Sequence, residues 1–267
     1  MALCSAALVP HSPLLAPNIG KENTAFFAAT IKAMQNLSQE IKEADTIIVI
    51  TPHGLRIDDQ AVWNISPEFK ADLSDFGDLV TDWRFNGDVS LPARFREKAE
   101  DSFLTKLLTQ KGLDYASSIP LYLLNIAGTN IRVSPLSPPK RGLFEDYIKF
   151  GMVLRDLVLD ENKNIALIAS ADLSHRLSKK SPAGYSSKAA KLDQKIIKAL
   201  MEKDEETLRK ITDKNLTEAG FEDYDVLLVF FGFIKETGYN LETLSYEFPF
   251  GTGHTVLKLK LDHEEKD

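Results

Sequence analysis

A short apolar segment that ends in proline and histidine constrains the fold of this chain more than any other feature. Residues 47–50 are four consecutive β-branched apolar residues, which is typical of a strand buried on both faces of a parallel sheet. Pro52 ends this strand because proline cannot donate to a ladder, and His53 follows directly. In open α/β sheets, ligands bind beyond the carboxyl ends of the strands. The segment therefore predicts a histidine at the ligand-binding edge of a central strand.

Similar arrangements occur at two other places in the chain. Residues 6–9 run into Pro10 and His11, and residues 165–169 run into a loop that ends in His175. Two imidazoles at neighbouring strand ends can bind one metal ion, and a carboxylate beside them leaves open positions, as in non-haem Fe(II) oxygenases. The same donors with Zn(II) leave a position for water, as in hydrolases. The spacing predicts a metal site but does not choose between the two metals.

The order of elements predicts the fold class. A strand, a helix and a second strand within the first 50 residues form a βαβ unit, which crosses over right-handedly. A chain of 267 residues with 43% hydrophobic residues can bury a full core without disulfides. We predict a single α/β domain over residues 1–262, a sandwich with a central, mostly parallel sheet flanked by helices, and a solvated tail at 263–267.

Four segments have more specific predictions. Residues 91–111 and 217–236 each have the apolar spacing of one continuous helix. Residues 60–88 contain two strand-like segments and are predicted to form a hairpin-like excursion near the active-site edge. Residues 119–124 fit a helix or a strand equally well.

Composition excludes several functional classes. The net charge of −7 argues against nucleic acid or an anionic membrane as the main partner. The single cysteine excludes an internal disulfide framework and favours a cytoplasmic location. No apolar run reaches the length of about 18 residues that a membrane span needs. Neither a Gly-x-Gly-x-x-Gly fingerprint nor a phosphate loop is present, so nucleotide binding has no motif.

The residues around His175 and the late helix complete the candidate site. Asp172 precedes His175 by three positions and can orient its imidazole, which suits a general acid or base, although Asp172 also fits an N-cap. A third metal ligand has to be a carboxylate or another histidine. Glu218 opens the helix predicted at 217–236, and Glu222 and Glu247 are its competitors.

The two remaining histidines are weaker candidates. His254 lies in a glycine-rich turn, and His263 lies in the tail. Both positions fit a structural or solvent-exposed role better than a functional one.

Taken together, these motifs resemble a known family. The motifs are Val-Pro-His-Ser-Pro at 9–13, Thr-Pro-His-Gly at 51–54, Ser-Ala-Asp-Leu-Ser-His at 170–175 and the closing segment at 245–253. They resemble the class III extradiol ring-cleavage dioxygenase superfamily, to which the catalytic subunit of protocatechuate 4,5-dioxygenase belongs. Within it, the chain is most similar to the branch that includes the Memo-like proteins.

The resemblance implies an α/β sandwich with a non-haem Fe(II) site, an aromatic substrate and O2. It also implies a homodimer or a second subunit. Two positions depart from relatives. Tyr115 stands where the dioxygenases often have the histidine of Asp-His-Gly, and Glu218 lies where Memo-like proteins use a cysteine. The implied site is His11, His53 and Glu218 as metal ligands, His175 as the catalytic residue, and Ser12, Tyr115 and Asp172 for substrate binding.

The sequence therefore predicts an Fe(II)-dependent extradiol dioxygenase that cleaves a catechol-type ring with O2. Two alternatives stay open. One is a Memo-like metal-binding protein without ring cleavage, and the other is a Zn(II)-dependent hydrolase with His175 as the base.

Overall fold

The computed structural model describes residues 2–100 and 102–261, so the tail predicted at 263–267 lies outside the described residues. In the described ranges the strands, numbered in chain order, form one eleven-stranded sheet. They are β1 (Leu3–Val9), β2 (Thr46–Ile50), β3 (Ala61–Asn64), β4 (Glu68–Ala71), β5 (Arg84–Gly87), β6 (Thr105–Leu108), β7 (Gly112–Leu113), β8 (Arg132–Ser137), β9 (Ile165–Ser170), β10 (Asn240–Glu247) and β11 (His254–Lys260).

Helices cover both faces of this sheet, as the sequence predicts. They are α1 (Pro17–Gly20), α2 (Ala28–Ile41), α3 (Leu91–Ala99), α4 (Tyr115–Leu123), α5 (Phe144–Leu159), α6 (Ala189–Met201), α7 (Glu205–Arg209), α8 (Asp213–Ala219) and α9 (Tyr224–Ile234), with short 3-10 turns at Pro13–Leu15, Lys21–Phe27 and Ser74–Phe76.

The centre of the sheet is parallel. The strand order is β10-β11-β1-β9-β2-β8-β5-β4-β7. Strand β3 joins this sheet by pairing with β8, and β6 pairs with β3. Strands β1, β9, β2 and β8 all run in the same direction, whereas β11 is antiparallel to β1. Because parallel strands end at the same edge, the loops after β1, β2 and β9 start side by side. The first residue of the antiparallel β11 lies at that edge as well.

Strand β2 has the continuous apolar pattern because it is buried on both faces. Ile48 and Ile50 belong to the hydrophobic core that contains α5 and α9, whereas Ile47 and Val49 belong to the core under α2. All five residues of the strand are buried. The prediction of a mostly parallel α/β sandwich is therefore confirmed.

The helix predicted at 217–236 is wrong as one element. Gly220 has φ +66° and ends α8, and α9 starts four residues later. This left-handed residue turns the chain, and glycine adopts it without the penalty of a Cβ. The turn buries Asp223 directly before α9, although its side chain makes no capping hydrogen bond there.

Contacts between distant segments also change two other elements that the sequence pattern predicts. Of the helix predicted at 91–111 only Leu91–Ala99 is helical, because Thr105–Leu108 adds a parallel strand beside β3. Of the second strand-like segment in 60–88, only Arg84–Gly87 pairs, since the Asp78 carboxylate holds the preceding residues in a turn by accepting from the amides of Val80 and Thr81. Residues 119–124 lie almost entirely in α4.

Helices α5 and α9 cross with their backbones in direct contact, and this crossing holds α9 in place. A Cβ added at Gly232 would lie 2.2 Å from the carbonyl oxygen of Ile148, and one at Gly151 would lie 2.1 Å from that of Val229. We expect Gly232→Ala to lower the free energy of unfolding by about 1–3 kcal/mol through overpacking. Helix propensity alone favours alanine over glycine and would raise the free energy of unfolding by about 1 kcal/mol. Urea denaturation measures the difference.

The matched control is Gly112→Ala, because its added methyl group would have room, with the nearest atom at 3.7 Å. This variant is expected to stay within about 0.5 kcal/mol of the natural chain. Equal effects of the two substitutions would contradict the close helix crossing.

Candidate metal centre

The sheet topology brings His11, His53 and Asp172 to one place. Each follows the carboxyl end of its strand, and the three strands β1, β2 and β9 are neighbours with β9 in the middle. His254 reaches the same edge as the first residue of β11. Asp223 is contributed by a different element, because it directly precedes α9.

Three of these side chains could hold one metal ion. The ligand atoms of His11, His53 and Asp223 all lie within 4.8 Å of one another. His11 Nε2 lies 3.6 Å from Asp223 Oδ2, and the two imidazole rings meet edge to face at 5.2 Å between centroids. His11 and Asp223 are buried, whereas His53 is exposed. The group is therefore open on the side of His53.

Hydrogen bonds fix the tautomer of His11. The hydroxyl of Ser170 donates to the carbonyl of Ala116 at 2.6 Å, so its oxygen is free to accept from His11 Nδ1 at 3.0 Å. The proton then lies on Nδ1, and the lone pair of Nε2 points toward Asp223. Burial lowers the pKa of His11 to about 4, so this imidazole is neutral near pH 7, as a metal ligand must be.

Asp172 organises the group. Its Oδ1 accepts from the backbone amide of His11 and from Nδ1 of His254, each at 3.1 Å. Its own amide donates to Asp223 Oδ2 at 2.9 Å. Burial would raise the pKa of Asp172, but the charges of the surrounding imidazoles outweigh it and hold the pKa below its usual value. Asp172 therefore carries a negative charge inside the protein.

Asp223 is electrostatically strained without a cation. Burial, followed by the nearby charge of Asp172, raises the pKa of Asp223 well above its usual value. The guanidinium of Arg56 pairs with Asp225, two residues further along, and not with Asp223. A divalent ion between Asp223, His11 and His53 would supply the missing positive charge. Two neutral imidazoles and a buried carboxylate are a donor set that fits both Fe(II) and Zn(II).

The structure does not bring Glu218 to the histidines. Glu218 lies on α8, before the turn at Gly220, and its carboxylate pairs with Lys188 at 2.7 Å near the surface. Glu222 is exposed, and Glu247 accepts from the amide of Thr30 at 2.7 Å. Because the chain reverses at Gly220, Asp223 is the carboxylate that reaches the centre, and it replaces Glu218 in our metal-ligand proposal.

His175 lies beside this group rather than within it. Its Nδ1 is 2.7 Å from the carbonyl of Gly220, so Nδ1 carries the proton and Nε2 is left with a lone pair. The preceding residue, Ser174, is fixed by the buried Asp193, which accepts from both its amide and its hydroxyl. His175 is close enough for its charge to act on the pKa values of His11 and Asp172. A role for His175 as acid or base stays a prediction.

Tyr115 closes one side of the centre. Its ring stacks on His53 with 4.7 Å between centroids and meets His11 edge to face at 5.6 Å. Burial, followed by the charge of Asp172, raises the pKa of the Tyr115 phenol, so it stays protonated at neutral pH. Ser12 is buried directly after His11 and opens a 3-10 turn. The substrate-binding roles of Ser12, Tyr115 and Asp172 stay predictions.

Sequence reasoning missed Asp223, Ser170 and the role of His254. Asp223 was missed because the apolar spacing through 217–236 continues across the break. Gly220 was the available signal, since glycine is common just after a helix end. His254 was discounted for its glycine-rich turn, but it is buried with 1% of its surface exposed and supports Asp172.

The family of the chain follows from comparison with known proteins. A family model described as the catalytic LigB subunit of aromatic ring-opening dioxygenase matches residues 5–257. The chain belongs to this family. The predicted resemblance to the class III extradiol superfamily is thereby confirmed, while the closer placement beside Memo-like proteins stays a prediction.

The chain is also similar to one curated protein and to one solved structure. Protein CA_C1420 of Clostridium acetobutylicum is 29% identical over 97% of the chain. The chain spans 58% of the length of that curated relative. The uncharacterized protein JW3007 of Escherichia coli K12 has a TM-score of 0.71 at 15% identity, covering 96% of this chain and all of that one, which shows a shared fold. Across the described residues, no helix combines the length and hydrophobicity needed to span a membrane.

Substituting each carboxylate in turn should show whether Asp223 or Glu218 is the metal ligand. We expect Asp223→Asn to weaken Zn(II) or anaerobic Fe(II) binding by at least about tenfold, because it removes the only charge among the three donors. Glu218→Gln, the matched control, should change affinity less than about twofold, since it breaks only a surface ion pair. Competition titration against a coloured chelator measures both. The reverse order would contradict the assignment of Asp223.

The same substitution should stabilise the metal-free protein. The folded pKa of Asp223 is raised, so the folded state binds more protons than the unfolded state above pH 4, and this contribution to stability is lost as pH rises. Asp223→Asn cannot ionise, so at pH 8 it should be more stable than the natural chain by about 1–3 kcal/mol.

Urea denaturation in chelator at pH 5 and pH 8 measures this effect. The stabilisation should be larger at pH 8 than at pH 5. A gain that shrinks with rising pH would show that the Asp223 carboxylate is not strained in the folded protein.

Proposed function

We propose that this protein is a metal-dependent ring-opening dioxygenase of the extradiol type, with Fe(II) held by His11, His53 and Asp223. The observation that supports it most is the buried Asp223 carboxylate beside two imidazoles, in a chain of the LigB family. The proposed substrates are a catechol-type aromatic and O2. Bound Fe(II) would supply Lewis acidity and a common centre for both substrates.

The protein residues have distinct roles in this proposal. His11 and Asp223 lie in the interior, while the exposed His53 leaves the centre accessible from solvent. His175 Nε2 takes a proton from a catechol hydroxyl and returns it to an oxygen of the opening ring. Tyr115, kept protonated by burial and by Asp172, donates a hydrogen bond and presents an aromatic edge to the substrate.

The overall reaction balances without a further reductant. The carbon–carbon bond next to the diol breaks, the O–O bond breaks, and both oxygen atoms enter the ring-opened product. The catechol is oxidised and O2 is the oxidant. The protein has only to move protons. Among the histidines that the structure describes, His175 is the one left for this task after the two metal ligands and the Asp172 partner are assigned.

One observation favours a second candidate. Tyr115 occupies the position where the dioxygenases often have a histidine, and a phenol with a raised pKa is a poor base near pH 7. A Zn(II)-dependent hydrolase, or a Memo-like metal-binding role without ring cleavage, requires only the three ligands and His175. Zinc in the purified protein together with no oxygen consumption would favour these alternatives.

The central experiment combines reconstitution with a variant of His175. The protein is loaded with Fe(II) without oxygen, given a panel of catechols and then exposed to air, while oxygen uptake and the yellow ring-opened product are followed. His175→Gln is expected to lower kcat by about 100- to 10,000-fold, because it removes the proton acceptor. Metal affinity should stay within about twofold, since His175 lies outside the ligand group.

Lys188→Gln is the control for a change of surface charge, because Lys188 pairs with Glu218, which is not part of the proposed site. No oxygen uptake with any catechol in the panel would overturn the dioxygenase proposal. Full activity in His175→Gln would overturn the assignment of His175 while leaving the reaction in place.

A further inference from the structure

A cavity lies beside the metal centre and shares the stacked His53 and Tyr115 rings as its inner wall. Its volume is about 390 Å³, within the usual range for a small-molecule site. Its outer walls come from β3, β6 and β7 and from the loop after β4. Phe76 meets Tyr115 edge to face at 4.8 Å and forms an aromatic side of the cavity.

The lining is acidic. Asp72, Asp75 and Asp114 all contribute to it, while neither lysine nor arginine appears among the described residues that line it. Asp114 is held in place because it accepts from the Thr51 hydroxyl and from the amide of Ser117. Asp75 makes no hydrogen bond or ion pair in the described structure, so its charge is available to a ligand.

The hydroxyl of Ser137 also faces this space. Ser137 lines the cavity at the end of β8, is 3% exposed and makes no side-chain hydrogen bond in the described structure. A Cβ added at Gly54 would lie 2.4 Å from its oxygen, so the absence of a side chain at Gly54 leaves this hydroxyl uncovered. Because it makes no side-chain hydrogen bond within the described structure, this hydroxyl can donate to or accept from a ligand in the cavity.

We infer that this cavity holds the substituent of the substrate, and that the substituent is a protonated amine rather than a carboxylate. The identification of the ligand as a substrate rests on the proposed function, whereas the preference of the cavity for a cation does not. Three carboxylates attract an ammonium group, and the aromatic wall formed by Phe76 and Tyr115 favours it further. A carboxylated aromatic would meet like charge and no basic partner. The substrate class is therefore a catechol with an amine-bearing side chain.

Phenols that cannot chelate a metal test the cavity separately from the reaction. The probes are 2-(4-hydroxyphenyl)ethylamine and 3-(4-hydroxyphenyl)propanoate, which have similar size and opposite charge. Calorimetry with the full chain, with and without Zn(II), is expected to show at least about tenfold tighter binding of the amine. Equal or tighter binding of the propanoate would overturn the inference.

Substitutions in the cavity lining test whether the probes bind there. Asp75→Asn and Asp72→Asn should each reduce the preference for the amine by about threefold. Glu97→Gln is the matched control, because Glu97 lies on α3, outside the lining. Gly112→Leu should weaken both probes, because a side chain there would extend toward Asp72. An unchanged preference in the Asp72 and Asp75 double variant would place the binding elsewhere and contradict the inference.

The two proposals fail in different ways. If the amine preference is present but no catechol consumes oxygen, the cavity assignment stands and the dioxygenase proposal fails. If catechols are cleaved but the charge of the probe makes no difference, the reaction stands and the substrate class is wrong.

Discussion

The carboxylate of Asp172 is the interaction on which the site depends. It binds the backbone of His11 after β1 and the ring of His254 at the start of β11, while its own amide binds Asp223 before α9. One buried residue, through its side chain and its amide, therefore joins the ends of three neighbouring strands to the start of a helix. A negative charge at this depth is tolerated because hydrogen bonds and imidazoles surround it, and those same contacts set the positions of the metal-binding side chains.

The second acid at this edge has no such compensation. Asp223 accepts a hydrogen bond from the amide of Asp172, but its burial, followed by the nearby charge of Asp172, raises its pKa. Such unfavourable electrostatics are common where a protein is built to receive a cation, because the ion recovers the cost. The close crossing of α5 and α9 holds this strained residue in place, so packing far from the centre supports its chemistry.

The residues at this edge of the sheet form two groups, one in the interior and one facing the cavity. His11, Asp172 and Asp223 lie in the interior and are shielded from water, whereas His53 and Tyr115 form the boundary between the centre and the acidic cavity. The interior side determines which ion can be held. The cavity side determines which ligands are attracted. Variation in the loop after β4 or at Gly54 could then change specificity without disturbing the ligands.

The sequence by itself determined the parallel core and two of the three proposed ligands. A β-branched run that stops at proline and histidine predicts a buried strand end. A second strand that ends in proline and histidine predicts converging imidazoles, because strand direction and burial are local properties. Only the tertiary structure decided the third ligand and the support of Asp172. Gly220 breaks an apolar pattern that looks continuous, and it thereby exchanges Glu218 for Asp223. His254 becomes a partner of Asp172 only because β11 runs antiparallel to β1. Such long-range pairing depends on how distant segments pack together, and no local pattern records it.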